Sequence, residues 1–474
     1  MAFDSLFFIF YFLPIFLLIY FLVPQKCNNL VLLLFSIFFY SFGGPACIMY
    51  IPLLFLSITV NYSCGLIIDQ SKGDKRKLIF LVGILWNIGV LIFFKYIIYQ
   101  LLELTEHIFN ISSTVPNIAD ILFPLGISFY TFKAMTYIFD VYRGHATATK
   151  SFLNIAAYIA MFPQIVAGPI VRYKTIANEI KERYPSSEDL NKGSKLFIIG
   201  LASKVMLANQ FAVYADKIFS KDPITLSVGL AWLGSICYTF QIYFDFAGYS
   251  LMAIGVGRLI GFNTPDNFNC PYLSRSVTEF WRRWHITLSS WFKNYLYIPL
   301  GGNQRGKFIT YRNLFIVFLL CGAWHGSNIT FLVWGIYHGL FLIIERWLRD
   351  NRVSINLPRL ICNGYLIIVV TIGWVIFRSE NIGYALDYLG VMFGMISPKN
   401  YYSTNMFSCM SLVLLTFIGV LCSSFNEYSV FALEYKISNN KGKLIIGAAY
   451  AITFVACIVL LSIQTYNPFI YARF

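Results

Sequence analysis

Charge is what this chain has least of. Asp, Glu, Lys and Arg together make up 12% of its 474 residues, about half of the roughly 25% found in soluble domains. That scarcity excludes an ordinary water-soluble fold. With 58% hydrophobic residues and a mean hydropathy of +0.66, it points to a polytopic membrane protein. Acidic residues are the scarcer sign: 22 against 36 Lys and Arg, a net charge of +14. In a soluble protein such an excess would suggest nucleic acid. Here it collects in short runs, Lys72–Lys77, Arg172–Arg183 and Arg305–Arg312, as the positive-inside rule requires of cytoplasmic loops, and no nucleic acid is expected. The ten cysteines include no CxxC pair, and Cys237, Cys321, Cys422 and Cys457 sit inside apolar runs. They read as small buried hydrophobes rather than zinc ligands or a disulfide framework. There is no P-loop, HExxH or aspartate-rich motif, and "GYSLM" around Ser250 is not a nucleophile elbow. "GVGRLIG" (Gly255 to Gly261) is not a dinucleotide fingerprint, since position 260 lacks glycine, and reads as helix-packing glycine. No bound cofactor and no metal is expected.

Long apolar runs are abundant. Leu6–Val23, Leu78–Phe94, Met406–Cys422 and Leu444–Ile463 each approach the ~20 residues that let a helix cross a bilayer. The first reads as a transmembrane helix, because "VPQKCNN" after it lacks a small-residue cleavage site. None of these runs alternates with period two, so a strand-rich barrel fits poorly. The expected fold is an all-α polytopic membrane protein with about 11–13 transmembrane helices plus re-entrant or interfacial ones. Further crossings are expected at Ile121–Phe139, Phe152–Val166, Leu196 onward and Ala231–Ile260. The polar Leu101–Asp120 segment, with His107, reads as a loop or interfacial piece, and Arg172–Lys195 as partly amphipathic. No repeat or linker marks a second domain. The chain reads as one domain over residues 1–474, its motifs in about 120–350 and its C-terminal helices in 351–474.

The stretch Gly261–Arg312 has no clean span. It holds "FWRRWHITLSSWF" (Phe280 to Phe292) and the turn "IPLGGN" (Ile298 to Asn303). At helical spacing Trp281, Trp284, Leu288 and Trp291 form one stripe, and Arg282, His285, Ser289 and Lys293 another. Three cations facing lipid would cost on the order of 8–10 kcal/mol, so this segment is expected along the interface or beside a watered cavity. An interfacial anchor, with arginines on phosphates and tryptophans at headgroup level, explains the basic residues equally well. For His285 a hydrogen-bonded helix histidine is the alternative to a functional one.

A second feature is "CGAWHGSNITFLVWGIYHG" (Cys321 to Gly339). His325 ends an apolar run, at a depth where ionisable residues are rare and usually functional. A neutral imidazole can act as a base near neutral pH. Gly322 and Gly326 beside it allow close approach of other groups. His338 lies about 220° further around a continuous helix, need not share a face with His325, and reads as packed.

Together, "YFDFAGYSLMAIGVGRLIGF", "NFNCPYLSRSVTEFWRRWHITLSSWFKNYLYIPLGGN" and "WHGSNITFLVWGIYHG" resemble the membrane-bound O-acyltransferase family. Within it they are similar to the bacterial branch that O-acetylates alginate and related polysaccharides, as is the closing "YNPFIYARF". The resemblance implies a helical bundle around a central tunnel in the bacterial plasma membrane, the acyl donor entering from the cytoplasm and the acceptor from outside. It implies His325 as the catalytic residue and His285 as the second functional histidine. Arg282, Trp284, Asn303, Trp324 and Asn328 are the candidates for the donor tunnel and for binding. It further implies an acyl thioester donor such as acetyl-CoA, a polysaccharide acceptor and a secreted or anchored partner of the SGNH-esterase type. Two positions depart from the branch: Leu251 and Asn294 stand where many members carry aspartate, so neither is given an acid–base role. Leu251 after "GYS" is also similar to the branch that moves D-alanine from a carrier protein to teichoic acid, which stays open. A glycan or lipid transporter, the reading from a different class, would need inverted repeats that the sequence does not display.

Overall fold

The structure, a computed structural model, describes residues 1–98, 124–353, 357–397, 409–437, 440–464, 466–468 and 470. Every regular element among them is helical. Seven helices are long and apolar enough to cross a membrane: Cys47–Gln70, Gly73–Ile97, Ser187–Phe219, Lys307–His325, Ile329–Asp350, Arg359–Arg378 and Lys441–Ile463. An eighth counts if the bent pair Leu414–Ser423 and Tyr428–Lys436 is one span. The all-α membrane fold is therefore as expected, but the described helices meet the crossing criterion fewer than 11 times. The first apolar run forms only Phe8–Leu22, and the expected Ile121–Phe139 span forms the 16-residue helix Ile127–Tyr142, both short of a bilayer's thickness. Residues 101–120, with His107, lie outside the described residues.

Contacts group the chain into two units. The first comprises Met1–Phe197 and Met252–Pro265. Its core is aromatic: Phe162 meets Phe12 at 5.1 Å and Phe16 at 5.0 Å between ring centroids, edge-to-face as ring quadrupoles favour. The helix Tyr173–Lys181 buries Tyr173, Ile176 and Ile180, so this polar stretch is amphipathic as expected. Its neighbour Arg183 is not a loop cation. Arg183 is buried, donating to the Tyr20 hydroxyl at 2.8 Å and the Asn29 Oδ1 at 2.8 Å, which replaces the water a buried guanidinium loses. Gly255 is the packing residue anticipated, since a Cβ there would lie 2.6 Å from the Gly193 carbonyl oxygen.

The second unit comprises Ile198–Leu251 and Asp266–Phe474. Its centre is the hairpin of Lys307–His325 and Ile329–Asp350. A Cβ on Gly322 would sit 2.3 Å from the Phe331 carbonyl oxygen, and one on Gly335 2.4 Å from that of Phe318. These glycines let the two backbones touch, the usual way helices associate without a hydrophobic driving force. Glu345 ties the second hairpin helix to the helix Val277–Arg283, accepting from the Val277 and Thr278 backbone N–H groups at 2.6 and 2.8 Å. A carboxylate there also opposes the positive end of the helix dipole.

The same unit holds a buried ion pair. Lys204 Nζ lies 2.6 Å from Asp245 Oδ1, with the side chains 2% and 1% exposed. The C-terminal segment completes it: Lys204 also donates to the Pro468 carbonyl, and the Ile470 N–H donates to Asp245 Oδ2 at 2.8 Å.

Candidate active site

His325 ends the helix Lys307–His325, and Gly326 and Ser327 lead into the next helix. Its ring is 4% exposed and lies 4.9 Å from Trp324, 5.1 Å from Trp334 and 5.1 Å from Phe377. The imidazole thus sits at a break between two crossing helices, inside an aromatic shell. The geometry keeps it out of contact with lipid.

His338 shares that shell. Reasoning from a single continuous helix separated it from His325, but the two lie on different helices of the hairpin, and Trp334 touches both rings, the second at 5.2 Å. His338 is wholly buried, 5.2 Å from Trp281 and close against the Gly373 backbone. The spacing of Trp334 and His338, one helical turn apart, was the available signal. The tight reversal after Gly326 decided the rest.

His285 stands apart from the expected amphipathic helix. That helix does not run through: Val277–Arg283 ends, Trp284 is extended, and His285 adopts a left-handed conformation (φ 42°, ψ 55°) before Ile286–Phe292 begins. A side-chain-bearing residue there costs about 1–2 kcal/mol, a strain typical of functional positions. Hydrogen bonds hold the corner. The Ile286 N–H donates to the Asn267 carbonyl at 2.9 Å, and Asn267 Oδ1 lies 3.0 Å from His285 Nδ1. The ring meets Phe246 edge-on at 4.7 Å. Neither seven-residue flanking helix crosses the membrane, and burial pushes the His285 imidazole down to about 3, so it is neutral.

The broken helix also disperses the two stripes. Arg282, Ser289 and Lys293 line a cavity of about 760 Å³, but so do Trp281 and Leu288 of the apolar stripe. Phe318 and Cys321, the latter one turn before His325, also line it, as do Arg346 and Arg349. A lining that combines apolar side chains with cations suits a ligand with an organic arm and an anionic head. Asn303 belongs to this cavity through the turn it ends. Gly301 and Gly302 in that turn have φ of 108° and 56°, which glycine alone adopts freely. Asn313 fastens the turn by donating to the Gly302 carbonyl at 3.0 Å.

The remaining predicted residues lie elsewhere. Trp284 is packed against Trp374 at 4.9 Å and Phe268 at 5.1 Å, and does not line the cavity because the chain turns at His285. Trp324 is the edge of the His325 shell. Asn328 caps the helix Ile329–Asp350: its Oδ1 accepts from the Thr330 N–H at 3.0 Å and its Nδ2 donates to the Glu380 carbonyl at 2.6 Å. Both ends of its amide thereby hold the start of that helix. Leu251 and Asn294 bear no acid, and Asn294 donates to the Ser290 carbonyl one turn back at 2.7 Å.

A multi-pass helical protein with a sequestered imidazole, and a cation-lined cavity that reaches Cys321 one turn before it, has the makings of a membrane acyl-transfer enzyme. Comparison with known proteins specifies it. The model of the membrane-bound O-acyltransferase family matches residues 144–385. The chain is 38% identical to the "Probable alginate O-acetylase AlgI" of Pseudomonas putida over the whole of both chains. It is 36% identical to the peptidoglycan O-acetyltransferase of Helicobacter pylori over 83% of this chain and 80% of that one. Similarity to the teichoic acid D-alanyltransferase of Bacillus subtilis, at 30% identity, covers 53% of this chain and 67% of the relative. The chain belongs to the membrane-bound O-acyltransferase family and is an acyltransferase acting on hydroxyl groups.

Proposed function

We propose that this chain is an O-acetyltransferase of the bacterial plasma membrane, taking acetyl from a cytoplasmic thioester, acetyl-CoA, and delivering it for O-acetylation of an extracytoplasmic polysaccharide. The observation that carries the reading is His325: a buried imidazole in an aromatic shell at the break between two crossing helices. The relatives named as O-acetylase and O-acetyltransferase, which align over most or all of the chain, favour acetyl over D-alanyl as the cargo.

In this reading a hydroxyl oxygen attacks the thioester carbonyl carbon. The new C–O bond forms as the C–S bond breaks. His325 takes the hydroxyl proton and returns it to the departing thiolate, so the imidazole ends as it began. The aromatic shell excludes the water that would hydrolyse the donor. Arg282, Lys293, Arg346 and Arg349 around the cavity favour the phosphates of the donor, and the apolar lining residues its pantetheine arm. An SGNH-type partner outside the membrane receives the acetyl group or presents the polymer.

The test is His325→Ala in a strain whose surface polysaccharide is assayed for acetate. Loss of polymer acetate with the protein still in the membrane at normal abundance is expected. Retained acetate would overturn the assignment of the base, and transfer of D-alanine instead would overturn the cargo.

A further inference from the structure

The corner at His285 contains a hydrogen-bond arrangement that the acyl-transfer reading leaves unused. Asn267 is buried, and its Oδ1 accepts from the Thr287 backbone N–H at 3.3 Å and from the Thr287 hydroxyl at 2.8 Å. Its Nδ2 donates to the Ser250 hydroxyl at 3.0 Å. The Thr287 N–H can only donate, so the atom facing it is the carbonyl oxygen and not the amide nitrogen. That same oxygen lies 3.0 Å from His285 Nδ1. An oxygen already accepting hydrogen bonds offers Nδ1 no proton, so Nδ1 must carry its own. His285 is 1% exposed, and its Nε2 has no hydrogen-bond partner among the described residues. An unfilled buried acceptor is uncommon in native proteins and calls for an explanation.

We propose that Asn267 is a positioning residue that fixes His285 in the Nδ1–H tautomer, so that Nε2 accepts a hydrogen bond from a neutral N–H or O–H group of a substrate. The tautomer rests on geometry alone, whereas the identity of the bound group rests on the acyl-transfer reading above. Two substrate groups have this chemistry, an amide N–H of the thioester's pantetheine arm and a hydroxyl of the acceptor sugar. A lone pair at Nε2 repels an oxyanion, so His285 does not stabilise the negative charge of the tetrahedral intermediate. The left-handed backbone at His285 has its reason here, because the reversal at that residue brings Nδ1 onto Asn267 and sets the Ile286 N–H on the Asn267 carbonyl.

The helix Val228–Leu259 presents Phe246 and, through Asn267, Ser250. Asp245, next to Phe246, is held by Lys204 at 2.6 Å. On the preceding helix Arg283 pairs with Glu279 at 2.7 Å, and Arg282 lines the cavity. The following helix contributes Thr287.

The experiment uses the full chain, labelled with ¹⁵N-histidine and reconstituted in nanodiscs, with His285 signals identified by their absence in His285→Gln. Wild type is expected to show a protonated Nδ1 and an unprotonated Nε2. Asn267→Ala should release the ring into a mixture of tautomers. Asn267→Asp keeps the acceptor and nearly the same shape, so it should retain the Nδ1–H form and raise the pH at which His285 titrates. A protonated Nε2 in the wild type, a single Nδ1–H tautomer that persists in Asn267→Ala, or a titration indifferent to Asn267→Asp would overturn the inference. Kinetics with acetyl-CoA and an alginate oligosaccharide assign the bound group. A rise of about tenfold in KM for acetyl-CoA in Asn267→Ala identifies the amide, and the same rise for the oligosaccharide identifies the hydroxyl. Unchanged KM for both overturns the binding role. The spectrum reads the tautomer whatever the donor is, so inactivity of the wild type toward acetyl-CoA would count against the proposed function and not against this arrangement.

Discussion

Replacing Asp245 with Ala should destabilise the protein more than any surface change, because it strands a buried cation. Lys204 and Asp245 are 2% and 1% exposed and 2.6 Å apart. Removing one member of such a pair costs about 3–5 kcal/mol, since the remaining charge has lost both water and partner. The variant also takes the acceptor from the Ile470 N–H, now bonded at 2.8 Å, and so loosens the C-terminal segment whose Pro468 carbonyl holds Lys204. Equilibrium unfolding in detergent, followed by tryptophan fluorescence, measures the loss. The double variant Lys204→Met with Asp245→Leu carries no buried charge and should recover most of it, because apolar replacements of a buried pair are often neutral or better. Asn209, which donates to the Asn467 side chain at 3.0 Å, still anchors the segment in that variant. An Asp245→Ala protein with wild-type stability would refute the reasoning. So would a double variant that loses the sum of both single losses, since interacting residues must show coupling.

Removing Arg282 or Arg349 by alanine should each raise KM for a phosphorylated thioester about fivefold, the equivalent of about 1 kcal/mol for an exposed charged contact, with kcat unchanged. Added salt should reduce the difference, and a salt-independent KM would count against phosphate recognition. Asn328→Ala should lower stability by about 1 kcal/mol through loss of the helix cap, seen in the same unfolding assay. A fall in kcat with stability intact would instead return Asn328 to the chemistry.

Much of the fold was legible because the bilayer imposes a period and a length that composition reveals. The apolar runs Leu78–Phe94 and Leu444–Ile463 lie within the helices Gly73–Ile97 and Asn440–Ile463. The packing role of Gly322 and Gly255 could also be read, since small residues in apolar helices have few other uses. The corner at His285 could not. "RRWHIT" contains no glycine, proline or asparagine to announce a left-handed residue, and unbroken helical spacing was the natural expectation. The side chain of Asn267, 18 residues away, stabilises the reversal. Nor could the pairing of His325 with His338 around Trp334 be read from spacing along a single helix. The burial of Arg183 was hidden for a similar reason, because its partners Tyr20 and Asn29 are far off in the chain.

By itself, then, the sequence determined that this is a membrane protein and that its spans are helical. Both follow from the cost of placing charge and open backbone in hydrocarbon, which acts on every residue according to its type. Tertiary structure alone decided that Trp284 packs inward, that Arg282 meets Arg346 and Arg349 around one cavity, and that His285 turns its Nδ1 to Asn267. Those outcomes depend on hydrogen bonds and ring contacts between distant segments, and local propensity carries no record of a partner that arrives only when the chain has folded.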